Sequence, residues 1–172
     1  MTVTPMMDVL IIGAGQAGLA LGYYLRQTPL RLQLVERNKR IGESWRRRYE
    51  ALELFTPRAY SALPGLALAD DPDGYAGKDE VAAYLEAYAR HFDLPVLLGT
   101  SIQSLERHNG GFRATTDDGA RIEARAVVLA TGAFQTPAIP RLAAGLSADV
   151  RQFTAETYKN AAQPPRHHPG GR

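Results

Sequence analysis

The chain has 172 residues, 45% of them hydrophobic and 22% charged, which suits one globular domain that buries about 70% of its unfolded surface without a disulfide or a metal. It contains no cysteine, and that excludes a disulfide framework, a thiolate metal site, a cysteine nucleophile and a CxxC redox pair. The formal charge is +2, but residues 151–172 hold Arg151, Lys159, Arg166 and Arg172 against Glu156 alone, so residues 1–150 are slightly negative; the one dense basic cluster, Arg46-Arg47-Arg48, argues against a nucleic-acid partner.

Met1 to Asp8 has no basic leader, and the apolar run Val9 to Ile12 is far too short to span a membrane, so no membrane partner and a cytoplasmic location are expected. Asp8 to Ile12 reads as a strand buried on both faces. Residues 16–27 read as a helix with Leu21, Tyr24 and Leu25 on one stripe, ended by Thr28-Pro29. A second strand over Leu32 to Glu36 completes a right-handed βαβ unit. Gly42 to Tyr75 is punctuated by Pro57, Pro64, Gly65, Pro72 and Gly74, yet Trp45, Leu52, Leu54, Phe55 and Tyr60 are too apolar for a solvated linker, so an ordered excursion is expected. Lys78 to Phe92 is the strongest helix, with Val81, Tyr84, Leu85, Tyr88 and Phe92 on one face. Pro95 to Gly99 reads as a third core strand, residues 101–123 as an antiparallel meander through Asn109-Gly110-Gly111 and Asp117-Asp118-Gly119, and Ala126 to Ala130 as a further buried strand. Residues 161–172 have too few large apolar side chains to bury and are expected to be disordered.

Gly13-Ala14-Gly15-Gln16-Ala17-Gly18 is a GxGxxG string that directly follows a buried strand and opens a helix, and the next strand ends in Glu36. In that context Gly13 permits the tight turn, Gly15 lets a pyrophosphate approach the backbone, Gly18 lets the helix pack on the strand, and the helix N-terminus meets the phosphates. Glu36 would accept hydrogen bonds from ribose hydroxyls and repel a 2′-phosphate, which leaves FAD or NAD; a structural turn beside a surface acid is the plain alternative. Ser44 and Ser61 lie in no nucleophile elbow. His167-His168 stands in a Pro/Gly stretch without carboxylates, so no metal site is expected. Arg46, Arg47 and Arg48 read as a solvated helix face.

These segments together resemble the FAD half of the two-dinucleotide-domain flavoproteins, and within them the flavin-containing monooxygenases, particularly bacterial oxidoreductases, some described as involved in cation transport. The resemblance rests on Gly13 to Gly18, Glu36-Arg37 with Gly42 and Trp45, Glu43-Ser-Trp-Arg46, Leu54-Phe-Thr-Pro57, Tyr60 to Gly65, Lys78-Asp-Glu-Val81 and Ala130-Thr-Gly-Ala-Phe-Gln135 with Pro137 and Pro140, and it covers roughly residues 7–160. It implies an α/β fold: a three-layer Rossmann-like FAD-binding domain over residues 1–150, with a parallel sheet and an antiparallel β-meander insertion. It implies FAD held by Gly13, Gly15, Gln16, Gly18 and Glu36, with Arg37 beside the adenine, Ile102 lending it backbone contacts, Ser44 and Trp45 near the flavin, and Thr131 and Gly132 closing over the cofactor. Its members use NADPH to reduce FAD and then oxygenate a soft nucleophile or a carbonyl; the lack of cysteine separates this chain from the disulfide-reductase branch.

The chain departs from that pattern in three places. After Gly132 the only paired glycines are Gly170-Gly171, so no NADPH-binding domain is expected within these residues, and residues 151–172 read as a truncated linker and tail: either the chain is truncated or a partner chain supplies the nicotinamide domain. Thr154 stands where the linker usually has histidine, and Gly42-Glu43 where many relatives have two glycines. A non-catalytic remnant or interaction module that keeps the fold, and an NAD-dependent single-domain dehydrogenase, remain alternatives; the meander and Ala130-Thr131-Gly132 oppose the second.

Overall fold

Continuous apolar strands demand cover on both faces, and the arrangement of the sheet supplies it. A computed structural model describes residues 6–133 and 136–163. The elements run β1 (Met7–Ile12), α1 (Gln16–Arg26), β2 (Leu32–Glu36), α2 (Glu43–Arg46), α3 (Arg58–Ser61), α4 (Lys78–His91), β3 (Val96–Leu98), β4 (Ile102–His108), β5 (Gly111–Thr116) and β6 (Arg121–Leu129), followed by a 3-10 turn over Arg141–Gly145. Hydrogen bonding orders the strands β3-β2-β1-β6-β5-β4. β1, β2, β3 and β6 pair in parallel, while β4-β5-β6 is the antiparallel meander.

The two outer strands of that order, β3 and β4, are adjacent in sequence. The stretch from Leu98 to Ile102 reaches at most about 14 Å, whereas the edges of a flat six-stranded sheet lie roughly 24 Å apart. The meander therefore folds back over the parallel strands and forms a third layer. Side chains agree: Ile11 and Leu34 point into the core built on α1 and α4, while their neighbours Leu10 and Val35 point to the opposite face and join Ala114, Ala124 and Ile102 of the meander.

Four expectations change in detail. Residues 121–123 and 126–130 are one strand, because β6 pairs with β5 over Arg121 to Ala124 and with β1 up to Leu129. Its second half is not buried on both faces: β5 accompanies β6 only as far as Ala124, and Leu129 is 68% exposed. β3 is an edge strand, with Leu97 and Leu98 both exposed. In α1 the buried residues are Gly18, Leu19 and Gly22, Leu21 and Leu25 pack partly buried against the core, and Tyr24 is exposed; the two glycines let this helix lie close on the sheet, and of the stripe only Tyr24 stands aside.

α4 and the excursion hold each other. Val81, Tyr84, Leu85 and Tyr88 are buried as the periodicity predicts. Tyr84 Oη accepts the Leu63 N–H at 2.6 Å and donates to the Leu66 carbonyl at 2.7 Å, and Tyr88 Oη donates to the Pro64 carbonyl at 2.6 Å. Burial, reinforced by neighbouring tyrosines, pushes the Tyr88 hydroxyl up to about 12, so it stays a donor. Arg58, unremarkable in the sequence, is only 9% exposed; it donates to the carbonyls of Ala69 and Tyr75 at 3.2 and 3.1 Å and to Glu80 Oε1 at 2.8 Å. After the 3-10 turn the chain returns to the excursion: the Glu50 N–H donates to the Lys159 carbonyl at 2.7 Å, Asn160 Nδ2 donates to Glu50 Oε1 at 2.9 Å, and the rings of Tyr49 and Tyr158 lie 6.1 Å apart. Thr154 starts a turn closed by the Tyr158 N–H on its carbonyl at 2.9 Å. Of the stretch expected to be disordered, residues 161–163 belong to a turn, and residues 164–172, including His167 and His168, lie outside the described residues.

Removal of the Arg58 side chain leaves its carbonyl acceptors unpaired, and Arg58→Ala is expected to cost about 2 kcal/mol in urea denaturation. Glu80 accepts the Gly77 N–H at 2.8 Å, and this bond, with the Arg58 pair, holds its carboxyl below the ordinary 4.5. A group depressed in the folded state contributes stability above its unfolded pKa and loses it as pH falls through the folded one. Glu80→Gln should therefore lower the denaturation midpoint at neutral pH and leave it close to the parent's at a pH well below 4.5. An equal loss at both would contradict the assignment.

Candidate functional site

β1 ends at Ile12 and turns through Gly13-Ala14-Gly15 into α1. The three motif glycines have different reasons to be glycine. Gly13 sits at φ 109°, where a side chain is strained, and a Cβ there would lie 2.4 Å from the Ala130 carbonyl oxygen. A Cβ on Gly18 would lie 2.0 Å from the Gly13 carbonyl oxygen, so the first turn of α1 rests directly on the loop. Gly15 has extended backbone, φ −84°, and a Cβ would meet nothing within 4 Å. Packing does not require glycine at that position. Gly15 also caps α1 without a side-chain acceptor, and no acidic residue lies in the first turn, so the helix itself supplies no acid at its positive end, where Gln16 is exposed.

Glu36, at the end of β2, comes to the same place: its Oε2 accepts the Ala14 N–H at 3.1 Å, across 22 residues of sequence. The Gly13 N–H donates to the Val35 carbonyl at 2.8 Å and the Ala130 N–H to the Ile12 carbonyl at 2.9 Å. The C-terminal ends of β2, β1 and β6 therefore converge on Gly13, at the crevice where open α/β sheets take ligands. Thr131 and Gly132 follow directly and are exposed, Gly132 with φ 75°. On the other side, the Thr100 N–H donates to the Glu36 carbonyl at 2.9 Å and leads into Ile102, half-buried against Leu10 and Val35. Arg37 is exposed beside Glu36.

Ser44 and Trp45 sit on a separate limb, the short α2 turn. Gly42 precedes it at φ 83°, pressed so closely on α4 that a Cβ would lie 2.8 Å from the Ala82 Cα. Trp45, the single tryptophan, is half-buried against the core on the α4 side, and Ser44 is exposed. Arg46 corrects the expected solvated face: it donates to the Ile41 carbonyl at 2.6 Å, pairs with Glu43 at 3.2 Å and pairs with Glu86 of α4 at 2.9 Å. Arg40 chelates the same Glu86 at 3.0 Å, and these two guanidiniums, Arg40 foremost, hold its carboxyl below the usual 4.5. Arg47 remains a mostly exposed cation. The ion pairs and Ala14 were not readable from residue type; Ala14 acts through its backbone alone. Among the described residues no cluster could hold a metal ion, and no helix is long and apolar enough to cross a membrane. His108, which lacked a partner in the sequence, lies 3.6 Å from Glu123 across the meander, beside Arg113.

Comparison with known proteins accords with this geometry. The family model described as pyridine nucleotide-disulphide oxidoreductase matches residues 10–164. The chain belongs to that family. Its relatives include oxidoreductases and flavin-containing monooxygenases. It is 50% identical to an "Uncharacterized oxidoreductase CzcO-like" of Geobacillus kaustophilus over 92% of this chain and 45% of the relative, and 32% identical to "Indole-3-pyruvate monooxygenase YUCCA1" of Oryza sativa over 76% of this chain and 33% of that one. The solved flavin-containing monooxygenase of Stenotrophomonas maltophilia superposes with a TM-score of 0.76 at 33% identity, covering 80% of this chain and 42% of that one. The chain spans less than half the length of these relatives. Bacillithiol disulfide reductase of Staphylococcus aureus, at 18% identity and a TM-score of 0.69, shares the fold.

The two helix-proximal glycines should separate on substitution. Gly18→Ala forces the helix off the loop and is expected to cost about 1 to 3 kcal/mol, whereas Gly15→Ala meets open space and should stay within about 0.5 kcal/mol of the parent. Denaturant titration of both variants checks this, and similar losses would contradict the packing described.

Proposed function

We propose that this chain binds FAD in the crevice at Gly13 and serves as the flavin-holding part of a monooxygenase-like oxidoreductase. The observation that carries the reading is the Glu36 carboxylate on the Ala14 N–H at 3.1 Å, which puts an acid suited to a ribose beside a helix end whose own first turn carries no acidic residue. Pyrophosphate would lie over Gly15, where the backbone has open space, with the N–H groups around Gln16 and Gly18 toward it. Glu36 would hold the adenosine ribose, Arg37 and Ile102 the adenine, Ser44 and Trp45 the flavin end, and Thr131 and Gly132 the cofactor's open side. When bound, FAD supplies the redox chemistry, and the protein supplies binding, orientation and exclusion of water. The monooxygenase names of the relatives support oxygen transfer; NADPH as the reductant, with its nicotinamide domain contributed by sequence or a partner beyond these 172 residues, is part of the same proposal.

Gly15→Val should abolish FAD retention by filling the space over the loop. Glu36→Ala should weaken binding by about 1 to 3 kcal/mol. Flavin content after reconstitution and equilibrium dialysis checks both; two variants that hold FAD as the parent does would place the cofactor elsewhere. The 172-residue chain loaded with FAD should be reduced by NADPH slowly and in linear proportion to its concentration, because hydride transfer needs the nicotinamide held about 3 to 3.5 Å from the flavin. Anaerobic stopped-flow absorbance measures this, and fast, saturable reduction would reveal a nicotinamide site within the chain.

A further inference from the structure

A glutamate side chain is long, and a ligand that must first fix its rotamer loses affinity to the entropy of doing so. Glu36 is fixed beforehand. Its Oε2 accepts the Ala14 N–H at 3.1 Å, while its Oε1 accepts two donors from one residue: the backbone N–H of Asn38 at 3.0 Å and the Asn38 side-chain amide at 2.6 Å. An ionised carboxylate offers about four lone-pair sites. Three are engaged within the protein, and the remaining capacity lies on Oε2, the oxygen next to the glycine loop.

Asn38 is anchored in turn. Its backbone carbonyl accepts the Gly99 N–H at 2.9 Å, one residue before the Thr100 N–H donates to the Glu36 carbonyl at 2.9 Å. The end of β2 is thereby sewn to the turn that begins β4 at Ile102, so Glu36, Asn38 and Ile102 move as one wall of the crevice. The Asn38 side chain is half-buried in this wall rather than free in solvent.

We infer that Asn38 is a positioning residue for nucleotide binding: it acts through Glu36, holding the carboxylate so that Oε2 faces the adenosine ribose. The inference rests on the FAD reading above and adds to it the residue that orders the ribose acid.

The experiment is calorimetric titration of FAD, and of ADP as the adenosine-pyrophosphate half alone, into the parent chain, Asn38→Ala, Asn38→Asp, Glu36→Ala and the Asn38→Ala/Glu36→Ala pair. Asn38→Ala is expected to weaken FAD and ADP by the same factor, roughly tenfold. Asn38→Asp keeps the shape but sets a second carboxylate against the first, and should weaken both ligands further. Because Asn38 acts through Glu36, its removal should cost nothing more once Glu36 is gone. A loss of equal size in both backgrounds would show a merely structural role and overturn the inference, as would binding by Asn38→Ala as tight as the parent's or tighter. If Asn38→Ala does not fold, Asn38→Ser, which keeps a hydroxyl donor, carries the same expectation with a smaller loss. A parent that binds neither nucleotide overturns the FAD reading itself; a parent that binds and a Glu36→Ala variant that does not, with Asn38→Ala unchanged, overturns this inference alone.

Discussion

The architecture depends on the contact at Gly13, where four pieces of backbone meet with no room for a side-chain atom. The Ala130 carbonyl closes one side, the first turn of α1 rests on the Gly13 carbonyl, and the Gly13 N–H is held by Val35 of β2. Close packing of this kind is intolerant of a single added carbon. It also fixes the height at which α1 leaves the sheet, so that the helix end, the acid of β2 and the Thr131-Gly132 turn after β6 surround one crevice. A looser joint would separate the positive end of α1 from the Glu36 carboxylate.

The second limb of the site is held by a different means. The α2 turn is too short to be stable by itself, and it is pinned to α4 by the Gly42–Ala82 contact and by Arg46 on Glu86. Arg46 and Glu86 side chains are each 19% exposed, so the pair is shielded from much of the screening that weakens surface ion pairs. The same helix anchors the excursion from its other side through Tyr84, Tyr88 and the Glu80–Arg58 pair. α4 is thus the common support of Trp45 and of the loop around Pro64, and packing on the parallel strands transmits that support to the glycine loop.

The matched part of this chain covers less than half of these relatives, and the crevice described is built by a single βαβ unit with a meander. The exposed half of β6, with Leu129 at its end, lies beside Thr131 and Gly132.

Local residue order alone determined the βαβ unit, the glycine loop, the position of Glu36, the α4 stripe and the hairpins of the meander, because each depends on periodicity or turn chemistry within a dozen residues. The turn role of Gly13 and the packing role of Gly18 were legible too, since the GxGxxG spacing reflects a local backbone path. Only the tertiary structure decided that residues 121–129 form one strand shared by two sheet layers, that β3 is an edge, that α1 buries Gly18, Leu19 and Gly22 rather than Tyr24, and that Arg46 and Arg58 are structural. It alone decided that Asn38 and the Ala14 N–H grip Glu36. These depend on partners brought together by the fold-back of the meander and by the packing of α4, and a residue's type carries no record of what lies opposite it.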